Sequence, residues 1–129
     1  MAKKQITSAK LRQPNGHFSQ ATMIEARGKL VFISGMTARR TDGSIAGIGD
    51  VEAQTRQVCE NLKAVLEAAG SSLAKVAKVT IYLADLGELM AMNEVFSGYF
   101  PKDPPARTTF QAAGLVGGAR VEIEAIACG

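Results

Sequence analysis

Between positions 51 and 83 the chain changes its apolar period once, and that change restricts it to folds in which a helix lies on a sheet. Val51, Val58, Leu62, Val65, Leu66 and Ala69 recur at three- and four-residue steps opposite Glu52, Arg56, Glu60 and Lys63. This spacing predicts an amphipathic helix over 51–69. Asp50 stands where an N-cap accepts backbone hydrogen bonds, and Gly70 where a helix ends. From 76 to 83 the step falls to two, with Ala77, Val79, Ile81 and Leu83 on one side and Lys78, Thr80 and Tyr82 on the other. A helical stripe and a half-apolar strand so close in sequence can cover each other.

The remaining segments extend this frame. Strands are predicted over 4–8, 21–26 and 29–34, the last two joined at Arg27-Gly28 in a tight hairpin. Leu30-Val31-Phe32-Ile33 is apolar on both faces, the pattern of a central strand covered on two sides. Asp42-Gly43-Ser44 and 47–49 mark a loop. A second helix over 87–100 carries Leu89, Met90, Asn93 and Phe96 along one side and stops at Pro101. Pro104-Pro105 leads into a strand over 106–113, and Gly114, Gly117 and Gly118 supply the turn before a last strand over 120–127.

The expected order is βββαβαββ, an α+β domain spanning 1–129 with a six-stranded mixed sheet and two helices on one face. The other face must meet solvent or another subunit. The apolar content of the strands favours the second.

Composition excludes several classes. Apolar residues make up 47% and charged residues 21%, which argues against disorder. No apolar run approaches the roughly 20 residues of a membrane span, and Met-Ala-Lys-Lys lacks a signal-peptide core, so a cytoplasmic location without membrane contact is expected. Cys59 and Cys128 lack metal-like spacing and are read as free thiols. Lys3, Lys4, Lys10, Arg12, Arg27, Lys29, Arg39 and Arg40 stand against one acid, Glu25, in the first forty residues. Such a surface fits an anionic partner or simple solvation equally well.

No metal cluster, Ser/His/Asp order, phosphate loop or dinucleotide fingerprint is present, so neither metal nor cofactor is expected. His17, the only histidine, reads as structural or solvent-exposed before it reads as a catalyst. The informative stretches are Pro104-Pro105-Ala106-Arg107-Thr108-Thr109-Phe110 and Val121-Glu122-Ile123-Glu124-Ala125. With Ile33-Ser34-Gly35, Gln54-Thr55-Arg56-Gln57-Val58, Leu66-Glu67-Ala68-Ala69-Gly70 and Met92-Asn93-Glu94-Val95-Phe96, they resemble the Rid/YjgF family, the reactive intermediate deaminases, over nearly the whole chain.

The resemblance implies a chorismate-mutase-like homotrimer, with sheets forming a central barrel, helices outside and clefts between subunits. It also implies hydrolysis of imines and enamines to keto compounds and ammonia. By motif matching, Arg107 takes the carboxylate-binding position and Glu122 the acidic position near the bound water. Ser34, Gly35, Asn93 and Thr109 fall at cleft-lining positions, and Phe18 stands where many relatives carry a tyrosine hydroxyl.

Chemistry agrees with those roles. A planar, permanently charged guanidinium makes two parallel hydrogen bonds to a carboxylate. A carboxylate can pass protons as water adds to the imine carbon and ammonia leaves. Alternation sets Glu124 on the same side as Glu122, so both remain candidates on spacing; motif order selects Glu122.

Met36-Thr37-Ala38-Arg39-Arg40 resembles the arginine pair of the 2-aminomuconate deaminase branch. Arg39 or Arg40 could then meet a second carboxylate, or the pair could be an exposed loop without a role. The expected partners are a small carboxylate-bearing substrate and two further copies of the chain. Ligand or protein binding without catalysis, and RNA-directed activity, are the competing readings. The basic N-terminal third lacks the aromatic platform that RNA binding uses.

Overall fold

The computed structural model describes residues 3–25 and 27–129. The elements follow the expected order: β1 (Lys4–Ile6), β2 (Ala21–Met23), β3 (Leu30–Met36), α1 (Val51–Ala68), β4 (Val76–Leu83), α2 (Leu89–Tyr99), β5 (Ala106–Gln111) and β6 (Val121–Cys128). Among the described residues no helix is long and apolar enough to cross a membrane.

Asp50 caps α1 by accepting a hydrogen bond from the Ala53 amide at 3.1 Å, and Gly70 leaves the helix at a φ of 77° that a side chain would strain. The helix buries Val58, Cys59, Leu62 and Leu66 completely against β3 and β6, while α2 packs on α1 through Met92 and Phe96. The strand alternation also holds. Val79, Ile81 and Leu83 of β4 and Val121, Ile123 and Ala125 of β6 face the helices, and Thr80, Tyr82, Glu122 and Glu124 face away. Truncating one of these fully buried aliphatic side chains to alanine costs about 2–5 kcal/mol.

The pairing differs from the sequence reading in three places. Four strands form a mixed sheet in the order β3-β6-β4-β5, and β1 with β2 forms a separate antiparallel ribbon. The hairpin expected at Arg27-Gly28 is absent because β2 pairs with β1 and β3 with β6; the last residue of the expected 21–26 strand, Ala26, lies outside the described residues. The ribbon reaches the larger sheet through Thr22, whose hydroxyl donates to the Ala77 carbonyl at 2.7 Å, and through the Ser19–Ala106 bridge.

Second, β3 is an edge strand rather than a central one. Leu30 and Phe32 are 43% and 72% exposed, so only its Val31 and Ile33 side is covered within the chain. Third, β5 and β6 do not form a hairpin. They flank β4, β5 parallel to it and β6 antiparallel. Gln54 anchors the connection between them: wholly buried, it donates to the carbonyls of Gly47 and Gly118 and accepts from the Arg120 amide at 2.7 Å. A buried amide with all these partners satisfied ties the loops at the start of β6 to α1.

Both cysteines are free and buried. Burial pushes the Cys59 thiol up to about 12. Cys128 is not a loose end, since the Ser71 hydroxyl donates to its carbonyl at 2.5 Å.

Candidate functional site

A cavity of about 720 Å³ opens between β5, α2 and the 15–18 segment, and Arg107 and Thr109 lie along it. Alternation along β5 turns both residues toward α2 while Thr108 and Phe110 point to the opposite face. Arg107 is half-buried, and the loss of water lowers its pKa from the usual arginine value. A guanidinium starts so far above neutrality that it keeps its charge.

Its supports are neutral. Nη1 donates to the Asn93 Oδ1 at 2.7 Å, and the guanidinium carbon lies 5.3 Å from the Phe96 ring centre and 5.7 Å from that of Phe18. Aromatic faces and an amide hold the cation without cancelling it. Arg107 therefore presents uncompensated positive charge to the cavity. Beside it, the buried Thr109 hydroxyl is the one such side-chain atom among the described residues without a hydrogen-bond partner. An orphan hydroxyl in a cleft is a group waiting for a ligand atom or water.

His17 lines the same cavity, which the sequence reading did not foresee. Its Nε2 donates to the Phe100 carbonyl at 2.6 Å, and its ring meets Phe96 edge-on at 6.3 Å. The imidazole thus braces the wall, and its single-residue signal could not have separated that role from exposure. Leu89, Met90, Glu94 and Ser97 were also missed as lining residues; their helical spacing along α2 was the available signal.

The other candidates gather elsewhere. Gly35 sits where the β3–β6 register slips between Ile33 and Met36, and a Cβ there would run into the carboxylate of Glu122. Only glycine lets that carboxylate lie across the strand. Ser34 is exposed beside it. Glu122 pairs in register with Tyr82, whereas Arg107 pairs with Val79, so the two proposed catalytic groups lie on opposite faces of the sheet. Glu124 is engaged, accepting a hydrogen bond from the Tyr82 hydroxyl, which raises that phenol's pKa.

Arg39 and Arg40 line a second cavity of about 610 Å³ with Gly35, Gln57 and Asn61. Asn61 holds their loop by donating to the carbonyls of Thr37 and Arg39, both at 3.0 Å. The guanidiniums themselves turn back on that loop, Arg39 donating to the Gly43 carbonyl at 2.6 Å and Arg40 to the Ser44 hydroxyl at 3.3 Å. The structure thus joins Arg107, Asn93, Thr109 and Phe18 around one cavity, gathers Gly35, Arg39 and Arg40 along another, and sets Glu122 against Gly35.

Fold and geometry define an α+β chain with a cationic cleft on the helix side of its sheet and a glycine–glutamate pair on the other side. It belongs to the Endoribonuclease L-PSP family, also called Rid/YjgF, matching it over residues 8–128. The chain is 44% identical over 127 residues to protein DfrA of Myxococcus xanthus, covering 98% of this chain and 96% of that protein. It is 32% identical over 127 residues to the human 2-iminobutanoate/2-iminopropanoate deaminase, covering 98% and 90% respectively. Among solved structures, it resembles a Rid-family protein of Yersinia pestis with a TM-score of 0.88 and 30% identity, over 99% of each chain.

Proposed function

We propose that this protein hydrolyses reactive 2-imino and 2-amino-enoic acids to 2-keto acids and ammonia, without metal or cofactor, in clefts between neighbouring copies of a homotrimer. The observation that carries this reading is Arg107, a desolvated guanidinium held by neutral groups beside an orphan hydroxyl in an open cavity. That arrangement suits a small carboxylate. The name of the human relative supplies the matching substrate class.

In this reading Arg107 receives the substrate carboxylate, Asn93 keeps the guanidinium in place and the Thr109 hydroxyl supplies a further hydrogen bond. Glu122 takes a proton from water as the water oxygen bonds to the imine carbon, and delivers it to the nitrogen. Glu122 then passes the carbinolamine's hydroxyl proton to that nitrogen as the C–N bond breaks and the C=O bond forms, leaving a 2-keto acid and ammonia. Such imines already react with water, so positioning together with general acid–base catalysis, worth about 10²–10⁴-fold, meets the demand.

The opposite faces of Arg107 and Glu122 are the reason for invoking a neighbour. One chain brings Arg107 to its cleft, and a second would have to bring Ser34, Gly35 and Glu122. The exposed Phe32 and Phe110 on the uncovered sheet face supply the apolar area for such contact. A cytoplasmic setting belongs to the same proposal.

Within it, 2-aminomuconate is the narrower substrate. Arg39 and Arg40 line the second cavity and would take its far carboxylate, but both guanidiniums would first have to leave their loop bonds.

The test is ammonia release from freshly generated 2-iminopropanoate and 2-aminomuconate, comparing wild type with Arg107→Ala. Losing a charge-assisted pair of hydrogen bonds is expected to lower kcat/KM by roughly 10²–10³-fold. Wild-type rates equal to buffer would reject the hydrolase. An RNA cleavage assay on the same preparation separates this activity from the one in the family's description.

A further inference from the structure

The Arg107 cavity is walled by two adjacent stripes of α2. Leu89 and Asn93 form one, and the more exposed Met90, Glu94 and Ser97 form the other at the neighbouring four- and three-residue steps. The second stripe brings an acid into a site built around a cation. Glu94 and Arg107 are not ion-paired, and no described residue hydrogen-bonds to or pairs with the Glu94 side chain. One cavity therefore holds two separated, unneutralised charges of opposite sign.

We propose that Glu94 is a specificity-determining residue for the tail of the substrate, selecting 2-imino acids whose side chain ends in a cation. This deepens the imine-hydrolase reading and rests on it. With the substrate carboxylate on Arg107, an aliphatic chain runs past Leu89 and the Met90 thioether. Its terminal guanidinium or ammonium then meets the Glu94 carboxylate, with the Ser97 hydroxyl one turn further on. The methylene-thioether wall tolerates chains of different length. An anionic tail on this wall would face Glu94 instead and be disfavoured, the pattern by which specificity is set as a difference between substrates.

The experiment measures kcat/KM for imines generated by an amino-acid oxidase from alanine, arginine and glutamate, with wild type, Glu94→Gln and Glu94→Lys. Wild type is expected to favour the arginine-derived imine over the glutamate-derived one. Glu94→Gln should lower the arginine-to-alanine ratio about three- to tenfold, the range for losing a partly exposed charged hydrogen bond. Glu94→Lys should reverse the arginine-to-glutamate preference.

Hydrolysis of the alanine-derived imine with ratios unchanged in both variants would overturn the subsite alone. So would an equal fall on all three substrates accompanied by loss of assembly, which would make Glu94 an interface residue. No hydrolysis of any of the three by wild type would reject the hydrolase reading itself.

Discussion

The two faces of the sheet differ in how far a single chain completes them. On the helix side, Arg107 is finished: Asn93, Phe96 and Phe18 hold it, and the cavity is formed without help. On the other side, Gly35 and Glu122 are set against each other but enclose nothing with Arg107, and Phe32 stands 72% exposed on an edge strand. A group that binds substrate can be pre-organised inside one subunit. In the proposed trimer, the group that approaches that substrate from across the cleft stays on a surface until a neighbour arrives.

The sharpest way to break this contrast is to spoil the unfinished face alone. Phe32→Glu puts a charge where an apolar contact is proposed, and burying it unpaired would cost several kcal/mol. The expected result is a fall from three copies to one by light scattering, loss of hydrolysis to the buffer rate, and an unchanged far-ultraviolet circular dichroism spectrum. An active monomer would place the whole reaction on the finished side.

A smaller effect sharpens the finished side. Thr109→Val removes a buried hydroxyl without a protein partner, so stability is expected to hold or rise in a thermal melt. If that hydroxyl meets substrate, kcat/KM falls at the same time by about three- to tenfold, and Thr109→Ser retains most of the rate. Equal rates in all three proteins would remove Thr109 from the binding set.

The smallest effect tests the scaffold behind Asn93. Burial, then a hydrogen bond donated to Glu60 at 2.7 Å, raises the Tyr99 phenol from 10 to about 12. A raised folded-state pKa means that the stability tied to the neutral phenol is whole below pH 10 and lost as pH rises through about 12. Denaturant titrations across that window should show a decline that Tyr99→Phe flattens. A matching decline in both proteins would assign the loss to other groups.

Most of the architecture was legible in sequence because it rests on period. The stripe from Val51 to Leu66 and the alternation from Val76 to Leu83 each specify an element and its buried side. Partner choice was not legible. Alternation states which face of β6 is apolar, but not that β6 inserts between β3 and β4, and Leu30-Val31-Phe32-Ile33 reads as doubly covered whether its second cover is this chain or another. In the same way the motif around Arg107 identified the cation and, with Asn93, Thr109 and Phe18, its surroundings. It did not show that Glu122 lies across the sheet, because that depends on register. Glu94 escaped notice, and His17 could not be placed on the cavity wall, because one exposed acid and one loop histidine carry no spacing signal.

The claim that one catalytic site draws on two copies is tested most directly by complementation. Arg107→Ala and Glu122→Gln are each prepared, unfolded together in equal amounts and refolded, and imine hydrolysis is measured against each variant refolded alone. If neighbouring subunits supply the two groups, the separate variants are nearly inactive and random mixing restores about a quarter of the wild-type sites. If both groups act within one chain, or Glu122 takes no part, the mixture does no better than the average of its components.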